Sequence, residues 1–220
     1  MIDYITGKFP CRHTLADLPA FPSCFNRVLL RNGYATIEVK SVKDGRYIVI
    51  SGNPIKYFQG HNIFGSNNVQ GLCRDLFDAV TRHLGIPVHD DDREEVRNGK
   101  YSLSRVDLAV NFRLPSNEIV SQVIREMEWH WRELGRNVSN YGHDTVYDDQ
   151  HSKVTSTKLY NKRKELGAAP LPDSVSNRDR LLCYAENLLR VEFTLRTPTL
   201  KTLGLNTGAA WTVGIAKSTI

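Results

Sequence analysis

The chain has 220 residues, which is enough for one sizeable hydrophobic core, and no linker divides it. Its 40% hydrophobic content is ordinary for a globular protein, and no apolar run approaches the roughly 18 residues that cross a bilayer, so a membrane-spanning protein is not expected. A net charge of +5 with a pI near 9.0 favours a polyanionic partner over an acidic lipid surface, because no basic amphipathic helix stands out.

The first quarter of the chain is typical of strands. Residues 1–10 alternate like a strand and lack the basic head and apolar stretch of a secretion signal, so a cytoplasmic protein is expected. The β-rich segments 34–42 and 46–51 flank a turn that ends at Gly45, which can take the positive φ that a hairpin needs. A hairpin is therefore predicted here, and a further extended piece is predicted over 54–58.

Two helices are predicted from apolar residues at helical spacing, one over 68–84 that ends at Gly85 and one from Ser116 to about residue 133. Between them, the charged stretch 89–100 predicts a solvated loop. The other predicted elements are strands over 102–112, 144–150, 154–162 and 190–197, a loop with Pro170 and Pro172, a helix over 176–189 and a glycine-containing tail.

The order of these elements predicts the fold class. Strands come singly and in hairpins with about three helices between them, which does not fit a strict alternation of strand and helix in a parallel sheet. The sequence therefore predicts a single α+β domain with a largely antiparallel central sheet and helices on one face.

The segment 158–165 places one tyrosine, Tyr160, among basic side chains in a run with strand character. The four cations are Lys158, Lys162, Arg163 and Lys164. A tyrosine hydroxyl beside cations that neutralise a phosphate is the minimum equipment for attack on a phosphodiester and a covalent protein–DNA link. The alternative is a solvated basic strand whose tyrosine merely packs.

Two predicted strands share a pattern in which an arginine precedes an acidic residue by two positions on the polar face. The polar faces carry Arg105, Asp107, Ala109 and Asn111 in one strand and Arg190, Glu192, Thr194 and Arg196 in the other. If the strands are neighbours, Asp107 and Glu192 could hold one Mg²⁺ or Mn²⁺, since these hard cations prefer oxygen ligands. A salt-bridge ladder of the same arginines and carboxylates is the competing explanation.

Two more side chains are candidates for the same site. His61 follows Gly60 at a predicted strand exit, where its imidazole completes the shell of the ion or caps a turn. Tyr147 is a second strand tyrosine, and nothing local excludes it from the nucleophile role.

The order of these motifs resembles one known family, the rolling-circle replication initiators of filamentous phages, of the gene-two (phage X) type. The resemblance runs from residue 1 to about residue 205, in family order and with similar spacing. The segments that carry it are Gln59-Gly-His-Asn-Ile-Phe-Gly65, Ser104-Arg-Val-Asp107, Leu159-Tyr160, and Leu189-Arg-Val-Glu-Phe193 followed by Leu200-Lys-Thr-Leu-Gly-Leu205. It implies an endonuclease domain over 1–205 and, over 206–220, a tail or the start of a missing C-terminal region.

By this resemblance, Tyr160 matches the catalytic tyrosine that nicks one DNA strand and stays attached to the 5′ phosphate. Related plasmid initiators place a tyrosine nearer the position of Tyr147, which keeps that residue as the alternative nucleophile. The implied fold is an antiparallel sheet of replication-initiator type, similar to HUH endonucleases, that acts with Mg²⁺ or Mn²⁺. No His-x-His motif occurs in this chain, so the candidate metal ligands are Asp107, Glu192 and His61.

The function implied is sequence-specific, metal-dependent nicking and rejoining of DNA that initiates rolling-circle replication through a 5′-phosphotyrosine. A non-catalytic regulator that occupies the origin on the same fold is the alternative. Lys158 and Lys162 are expected to screen phosphate charge at the catalytic site, and the expected DNA contacts are Arg105, Asn111, Arg163, Lys164, Arg190 and Arg196. The expected partners are origin DNA, single-stranded or as a supercoiled duplex, a host helicase and a polymerase, with no membrane.

Overall fold

Antiparallel pairing organises the chain. The computed structural model describes residues 1–14, 27–142, 144–212 and 214–219. The strands within these ranges are β1 (Ile2–Pro10), β2 (Arg27–Arg31), β3 (Thr36–Val42), β4 (Tyr47–Gly52), β5 (Ser102–Arg113), β6 (Val138–Tyr141), β7 (Thr145–Asp148), β8 (Thr155–Asn161) and β9 (Leu188–Arg196). They form one sheet in the order β2-β3-β4-β1-β5-β9-β8-β7-β6, with each neighbouring pair antiparallel.

Helices connect and cover these strands. Those in the described ranges are α1 (Pro54–Gln59), α2 (Val69–Leu84), α3 (Asp90–Arg97), α4 (Asn117–Glu133), α5 (Lys162–Ala168), α6 (Arg178–Ala185), α7 (Thr197–Thr202) and α8 (Ile215–Ser218), with a 3-10 turn over Gly208–Ala210. In this part of the chain, no helix combines the length and the apolar character that crossing a bilayer would require.

One face of the sheet is apolar and carries the core. Ile5 of β1 lies opposite Val106 of β5, both are fully buried, and Phe77 of α2 joins the same cluster. Farther along this face, α4 contributes Val120 and Ile124 to a second cluster over β7, β8 and β9. The predicted α+β fold, with an antiparallel sheet and its long helices on one face, is confirmed.

Local geometry confirms three predicted elements. β3 and β4 form the predicted hairpin, and Gly45 in its turn has φ +80°. Helix α2 ends at Gly85 in the left-handed conformation. Helix α4 begins after Ser116, whose side chain accepts a hydrogen bond from the N–H of Ile119.

The extended piece predicted over 54–58 is wrong, because these residues form α1. The side chain of Asn53 accepts from the N–H of Lys56, Pro54 occupies the first turn, and Gly60 ends the helix in the left-handed conformation. A helix of six residues is too short to show helical periodicity, so its capping residues are its only sequence signal.

The loop predicted over 89–100 is also wrong, because α3 lies within it. Three aspartates fill the first turn of α3, where negative charge is favourable at a helix N-terminus. One of them, Asp92, is buried and accepts from the backbone N–H and the Nε of Arg12, while Val96 packs into the core. Two contacts along a mainly charged sequence are enough to dock this short helix.

Several elements were not predicted or have other bounds. Strands β2 and β6 lie at the two edges of the sheet, and α7, α8 and the 3-10 turn follow β9. The helix predicted over 176–189 is shorter, as α6, and β9 begins two residues earlier than the strand predicted from 190. Edge strands and short helices bury few side chains, so their sequence patterns are weak.

The tail predicted over 206–220 contributes to the core. The Trp211 side chain is 2% exposed, and its indole N–H donates to the carbonyl of Leu205 at 2.8 Å. Ala216 of α8 joins the same main core. The division of the chain at residue 205 stays a prediction.

We expect Trp211→Ala to lower the free energy of unfolding by about 3–5 kcal/mol, because it empties a large buried volume. Urea denaturation followed by circular dichroism measures this loss. Leu203→Ala is the control, since Leu203 is 51% exposed and its removal should change stability by less than about 0.5 kcal/mol. Equal stability of the two variants would show that residues beyond 205 do not support the fold.

Candidate functional site

The central strands put their polar side chains on the face opposite the core. In β9, Glu192 pairs with Ala109 of β5, so the two strands with the arginine-and-acid pattern are neighbours. Strand β8 lies on the other side of β9 and adds Tyr160 and Lys158 to this face. The resulting rows across the sheet are Ala109–Glu192–Lys158 and Asn111–Arg190–Tyr160.

Arg190 lies at the centre of this polar face and is fully buried. Its Nε donates to Glu192 Oε1 at 3.0 Å and its Nη2 donates to Asp3 Oδ1 at 2.6 Å. Its Nη1 donates to the backbone carbonyl of Asn62. Because a buried cation is tolerated only when its donors are satisfied, these contacts tie β9 to β1 and to the loop after α1.

Tyr160 is also buried, at 2% exposure, and its hydroxyl donates to Glu192 Oε1 at 2.7 Å. Burial, followed by the negative charge of Glu192, raises the pKa of this hydroxyl well above its ordinary value. Burial and the nearby charge of Asp3 also raise the pKa of Glu192, which makes its carboxylate a stronger proton acceptor than a free glutamate. The hydrogen bond thus gives the hydroxyl a proton acceptor, while the raised pKa of the hydroxyl opposes its ionisation in this enclosed arrangement.

Lys158 connects the two candidate tyrosines. Its Nζ lies 4.0 Å from the ring centroid of Tyr160, 5.6 Å from that of Tyr147 and 3.8 Å from Glu192 Oε2. Tyr147 stands on β7 directly opposite Lys158 and is half-buried. Its hydroxyl makes no hydrogen bond to any side chain or backbone group that the structure describes. Tyr160 therefore has a proton acceptor but little access, and Tyr147 has access but no acceptor.

The three predicted metal ligands are not assembled into one site. Both carboxylate oxygens of the buried Asp107 accept from Arg105, at 2.8 and 2.5 Å. His61 Nδ1 lies 3.2 Å from Gln59 Nε2, and burial, followed by the charge of Lys162, lowers the pKa of the imidazole. Within the described ranges, no group of three or more His, Cys, Asp or Glu side chains is placed to hold a metal ion.

The salt-bridge ladder named as the competing explanation is present. Its rungs are Arg105 with Asp107 and Arg190 with Glu192. Arg105 occupies both oxygens of Asp107, whereas on Glu192 Arg190 binds Oε1 and Lys158 lies 3.8 Å from Oε2. Both carboxylates are thus already balanced by cations, so the donor set does not fit a bound Mg²⁺ or Mn²⁺ in this arrangement.

The basic run after Tyr160 is not a continuation of the strand, which corrects the sequence prediction. Asn161 ends β8 and caps α5, because its side chain accepts from the N–H groups of Arg163 and Lys164. Strand alternation therefore stops before Lys162, although its Nζ still lies 5.7 Å from the Tyr160 ring centroid.

Each of the three basic residues at the start of α5, Lys162, Arg163 and Lys164, forms an ion pair with an acidic residue. Lys162 is fully buried and donates to Glu165 Oε2 at 2.7 Å, and burial lowers the pKa of its ammonium group. The other two pairs are Arg163 with Glu186 and Lys164 with Asp144, each at 2.6 Å. In this arrangement the ammonium group of Lys162 is shielded from solvent, and the phosphate-screening role predicted for it stays a prediction.

The other predicted DNA contacts differ in their access to solvent. Arg190 is enclosed in this arrangement, and its predicted contact with DNA stays a prediction. Arg105 is engaged by Asp107, and Asn111 donates to the carbonyl of Ile63 at 2.9 Å. Arg196 lies directly opposite Arg105 and lines an open cavity with Lys153, and its Nε has no partner among the described residues. No ion-pair partner of Arg196 is present among the described residues, in contrast to Arg163 and Lys164.

Sequence reasoning missed two residues of the network. Asp3 accepts from Arg190, from Asn62 Nδ2 at 2.7 Å and from Asn53 Nδ2 at 3.2 Å. The Oδ1 of Asn62 accepts from Lys162 Nζ at 2.8 Å. The sequence could have pointed to Asn62, because this residue lies in the segment 59–65 that carries the family resemblance. Asp3 is distinguished in the sequence only as a charged residue within a predicted strand.

Comparisons with known proteins agree with this resemblance. Residues 1–214 match the model of a family described as the N-terminal region of the replication-associated gene-two protein. The chain is 29% identical over 244 aligned positions to the replication-associated gene-two protein of Enterobacteria phage I2-2, covering 98% of this chain and 68% of that protein. It is 26% identical over 198 positions to the protein of the same name from Enterobacteria phage M13, covering 80% of this chain and 43% of that one.

A solved structure is also similar, although distantly. It is the rolling circle replication initiator protein from Geobacillus stearothermophilus, with a TM-score of 0.36 and 13% identity over 89% of this chain and 73% of that one.

The chain belongs to the family defined by the N-terminal region of the replication-associated gene-two protein. The predicted resemblance to the gene-two family of filamentous phages is confirmed, and with it the assignment to DNA replication. The chain spans about two-thirds of the length of the phage I2-2 relative and less than half that of the phage M13 relative.

We expect Arg190→Met to destabilise the protein by about 3–5 kcal/mol, because it leaves Asp3 and Glu192 buried without their shared cation. Urea denaturation at neutral pH measures the change. Arg132→Met is the matched control, since Arg132 is 54% exposed in a helical i, i+4 pair worth less than about 1 kcal/mol. If the two variants lose equal stability, Arg190 does not organise the polar face.

Proposed function

We propose that this chain initiates rolling-circle replication as a DNA-nicking and strand-joining enzyme with Tyr160 as its nucleophile. The observation that carries the proposal is the 2.7 Å hydrogen bond from the Tyr160 hydroxyl to Glu192, on the polar face of a replication-associated family member. A hydroxyl paired with a proton acceptor is the usual arrangement of an activated oxygen nucleophile.

In the proposed reaction, the Tyr160 oxygen attacks the phosphorus of a DNA phosphodiester and its proton passes to Glu192. The bond from phosphorus to the 3′ oxygen breaks, and that oxygen takes up a proton as a free 3′ hydroxyl. The 5′ phosphate stays on the tyrosine as an ester, so attack by a 3′ hydroxyl can later reverse the step and rejoin the strand. Lys158, close to both Tyr160 and Glu192, supplies positive charge near the phosphate.

Because the Tyr160 side chain is enclosed, the proposed reaction requires a local rearrangement around it. At 2% exposure, Tyr160 meets a phosphate only after the DNA strand displaces Lys158 from its ring, while the hydroxyl stays bonded to Glu192. Tyr147, half-buried beside the same lysine, is the alternative nucleophile. Tyr160 is preferred because Glu192 accepts its proton.

The free 3′ hydroxyl produced by this reaction is a primer for a polymerase, and unwinding of the nicked duplex requires a helicase. We propose origin DNA, single-stranded or supercoiled, as the substrate and the host enzymes as partners. The rival function, a non-catalytic regulator that occupies the origin, is favoured by one observation, the enclosure of Tyr160 and its neighbours.

We expect Tyr160→Phe to abolish nicking and the covalent protein–DNA adduct while DNA affinity stays within a few-fold, because only the nucleophilic oxygen is lost. A labelled origin strand, run on a denaturing gel after incubation with Mg²⁺ or Mn²⁺, measures the adduct. Tyr147→Phe is the matched variant on the neighbouring strand. An adduct that persists in Tyr160→Phe and disappears in Tyr147→Phe would transfer the role, and no adduct in the wild type would favour the regulator.

The resemblance implies that a divalent cation supports cleavage, with Asp107 as the first candidate ligand. If so, the cation must displace Arg105, and Asp107→Asn should raise the Mn²⁺ concentration needed for nicking by at least tenfold. The nicking rate as a function of Mn²⁺ concentration measures this. Asp148→Asn is the control, because Asp148 is equally buried in a pair with Arg136 but outside the polar face. An unchanged Mn²⁺ dependence in Asp107→Asn would assign Asp107 to the salt bridge alone.

A further inference from the structure

Two aromatic rings remain exposed beside the polar network. Phe64 is 42% exposed and Tyr184 of α6 is 40% exposed, and their ring centroids lie 4.2 Å apart. His61 meets the edge of the Phe64 ring, with 6.2 Å between the centroids. Phe64 belongs to the segment 59–65 that carries the family resemblance, yet the proposed nicking reaction does not use it.

The backbone that carries Phe64 is anchored, so its exposure is built into the fold. Gln59 Nε2 donates to the carbonyls of His61 and Phe64, at 3.1 and 2.8 Å. Asn111 donates to the carbonyl of Ile63, and Arg190 donates to the carbonyl of Asn62. The anchored backbone keeps Phe64 beside Tyr184 at the surface, and it is this adjacent pair of exposed rings that makes a candidate binding surface.

The second ring is held by an arginine. Arg113 Nη2 donates to the carbonyl of Tyr184 at 2.8 Å, and its Cζ lies 4.9 Å above the Tyr184 ring. Together, the two rings and the guanidinium group form a surface of the kind on which nucleic-acid bases stack.

A cavity of about 510 Å³ adjoins Phe64 and contains a polar group that lacks a donor. Ala109, Asn111 and Lys217 line it with Phe64. Because Asn111 donates its Nδ2 to Ile63, its Oδ1 is left buried without a hydrogen-bond partner among the described residues. Such an oxygen is costly to leave unpaired, and because it is shielded from solvent, a ligand N–H donor would satisfy it once the Asn111 side chain turns toward the cavity.

We propose that Phe64 and Tyr184 form a subsite for one unpaired nucleobase of the DNA strand, and that Asn111 Oδ1 accepts from the exocyclic amino group of that base. This inference rests on the proposed function for its choice of ligand. The subsite connects to Tyr160 through Asn62, whose carbonyl binds Arg190, and through Glu192, which binds both Arg190 and Tyr160. Adenine, cytosine and guanine carry an exocyclic amino donor, whereas an unpaired thymine offers only its ring N3–H, so thymine cannot make the proposed amino contact.

The test uses single-stranded homopolymers of deoxycytidine and of thymidine, and an abasic strand of the same length, with binding measured by fluorescence anisotropy. We expect the wild type to bind the cytosine strand most tightly and the abasic strand least. Phe64→Ala should weaken binding of the cytosine strand at least about fivefold and leave the abasic strand nearly unchanged, because stacking requires a base. The slope of log affinity against log salt should stay the same, since no phosphate contact is lost.

Phe58→Ala is the matched control, because Phe58 is 44% exposed on α1 outside this pair of rings. It should bind all three strands as the wild type does. Tyr184→Ala tests the same surface independently, and its binding of the three strands should change as it does in Phe64→Ala. An equal loss on cytosine and abasic strands in Phe64→Ala, or no loss on either, would overturn the subsite.

The outcome is separable from that of the nicking reaction. Covalent adduct formation together with unchanged strand binding by Phe64→Ala would reject the subsite and leave the nicking proposal intact. A base-dependent loss in Phe64→Ala without any covalent adduct in the wild type would support the subsite and reject nicking.

Discussion

The buried guanidinium of Arg190 holds the polar face together. Its three bound acceptors come from β1, from β9 and from the loop after α1, so one side chain joins parts of the chain that are far apart in sequence. A cation without water is stable only if such acceptors are in place, and the acceptors in turn need the cation. The position of the Tyr160 hydroxyl follows from this, because it binds the Glu192 oxygen that Arg190 also holds.

This mutual dependence constrains how the face can act on DNA. Its inner charges are already matched by neighbours, as Asp107 is by Arg105 and Lys162 is by Glu165. A phosphate that approaches Tyr160 must therefore compete with existing ion pairs, and it meets free positive charge mainly at the rim, where Arg196 lines an open cavity.

The sequence predicted which face of the sheet each side chain of the central strands occupies, but not how deeply these side chains are buried. Alternation put Arg190, Glu192 and Asp107 on one side, and their neighbouring strands agree with that pattern. Alternation cannot show that the loop around Asn62 covers Arg190, because that contact joins residues 128 positions apart. For the same reason, alternation cannot show that acceptors within the fold bind Nε, Nη1 and Nη2 of Arg190.

The other errors of prediction concern short helices, whose local sequences carry little periodic pattern. Helices α1 and α3 depend on capping side chains, first-turn aspartates and a few buried residues, none of which produces a periodic apolar pattern. The basic run after Tyr160 changes from strand to helix at Asn161, where a single side-chain cap decides the outcome. Tyr160 was singled out because it and its cations are adjacent in sequence, and Tyr147 was kept as a second strand tyrosine, whereas Asp3 reaches the site only through the fold.

The central claim is that Tyr160, held by Glu192, forms the covalent link to DNA, and peptide mapping of the adduct by mass spectrometry tests it most directly. Trypsin separates the two candidate tyrosines, because Lys153 and Lys158 lie between them. We expect the nucleotide mass on the peptide that contains Tyr160. Nucleotide on the peptide that contains Tyr147, with the Tyr160 peptide unmodified, would contradict the claim.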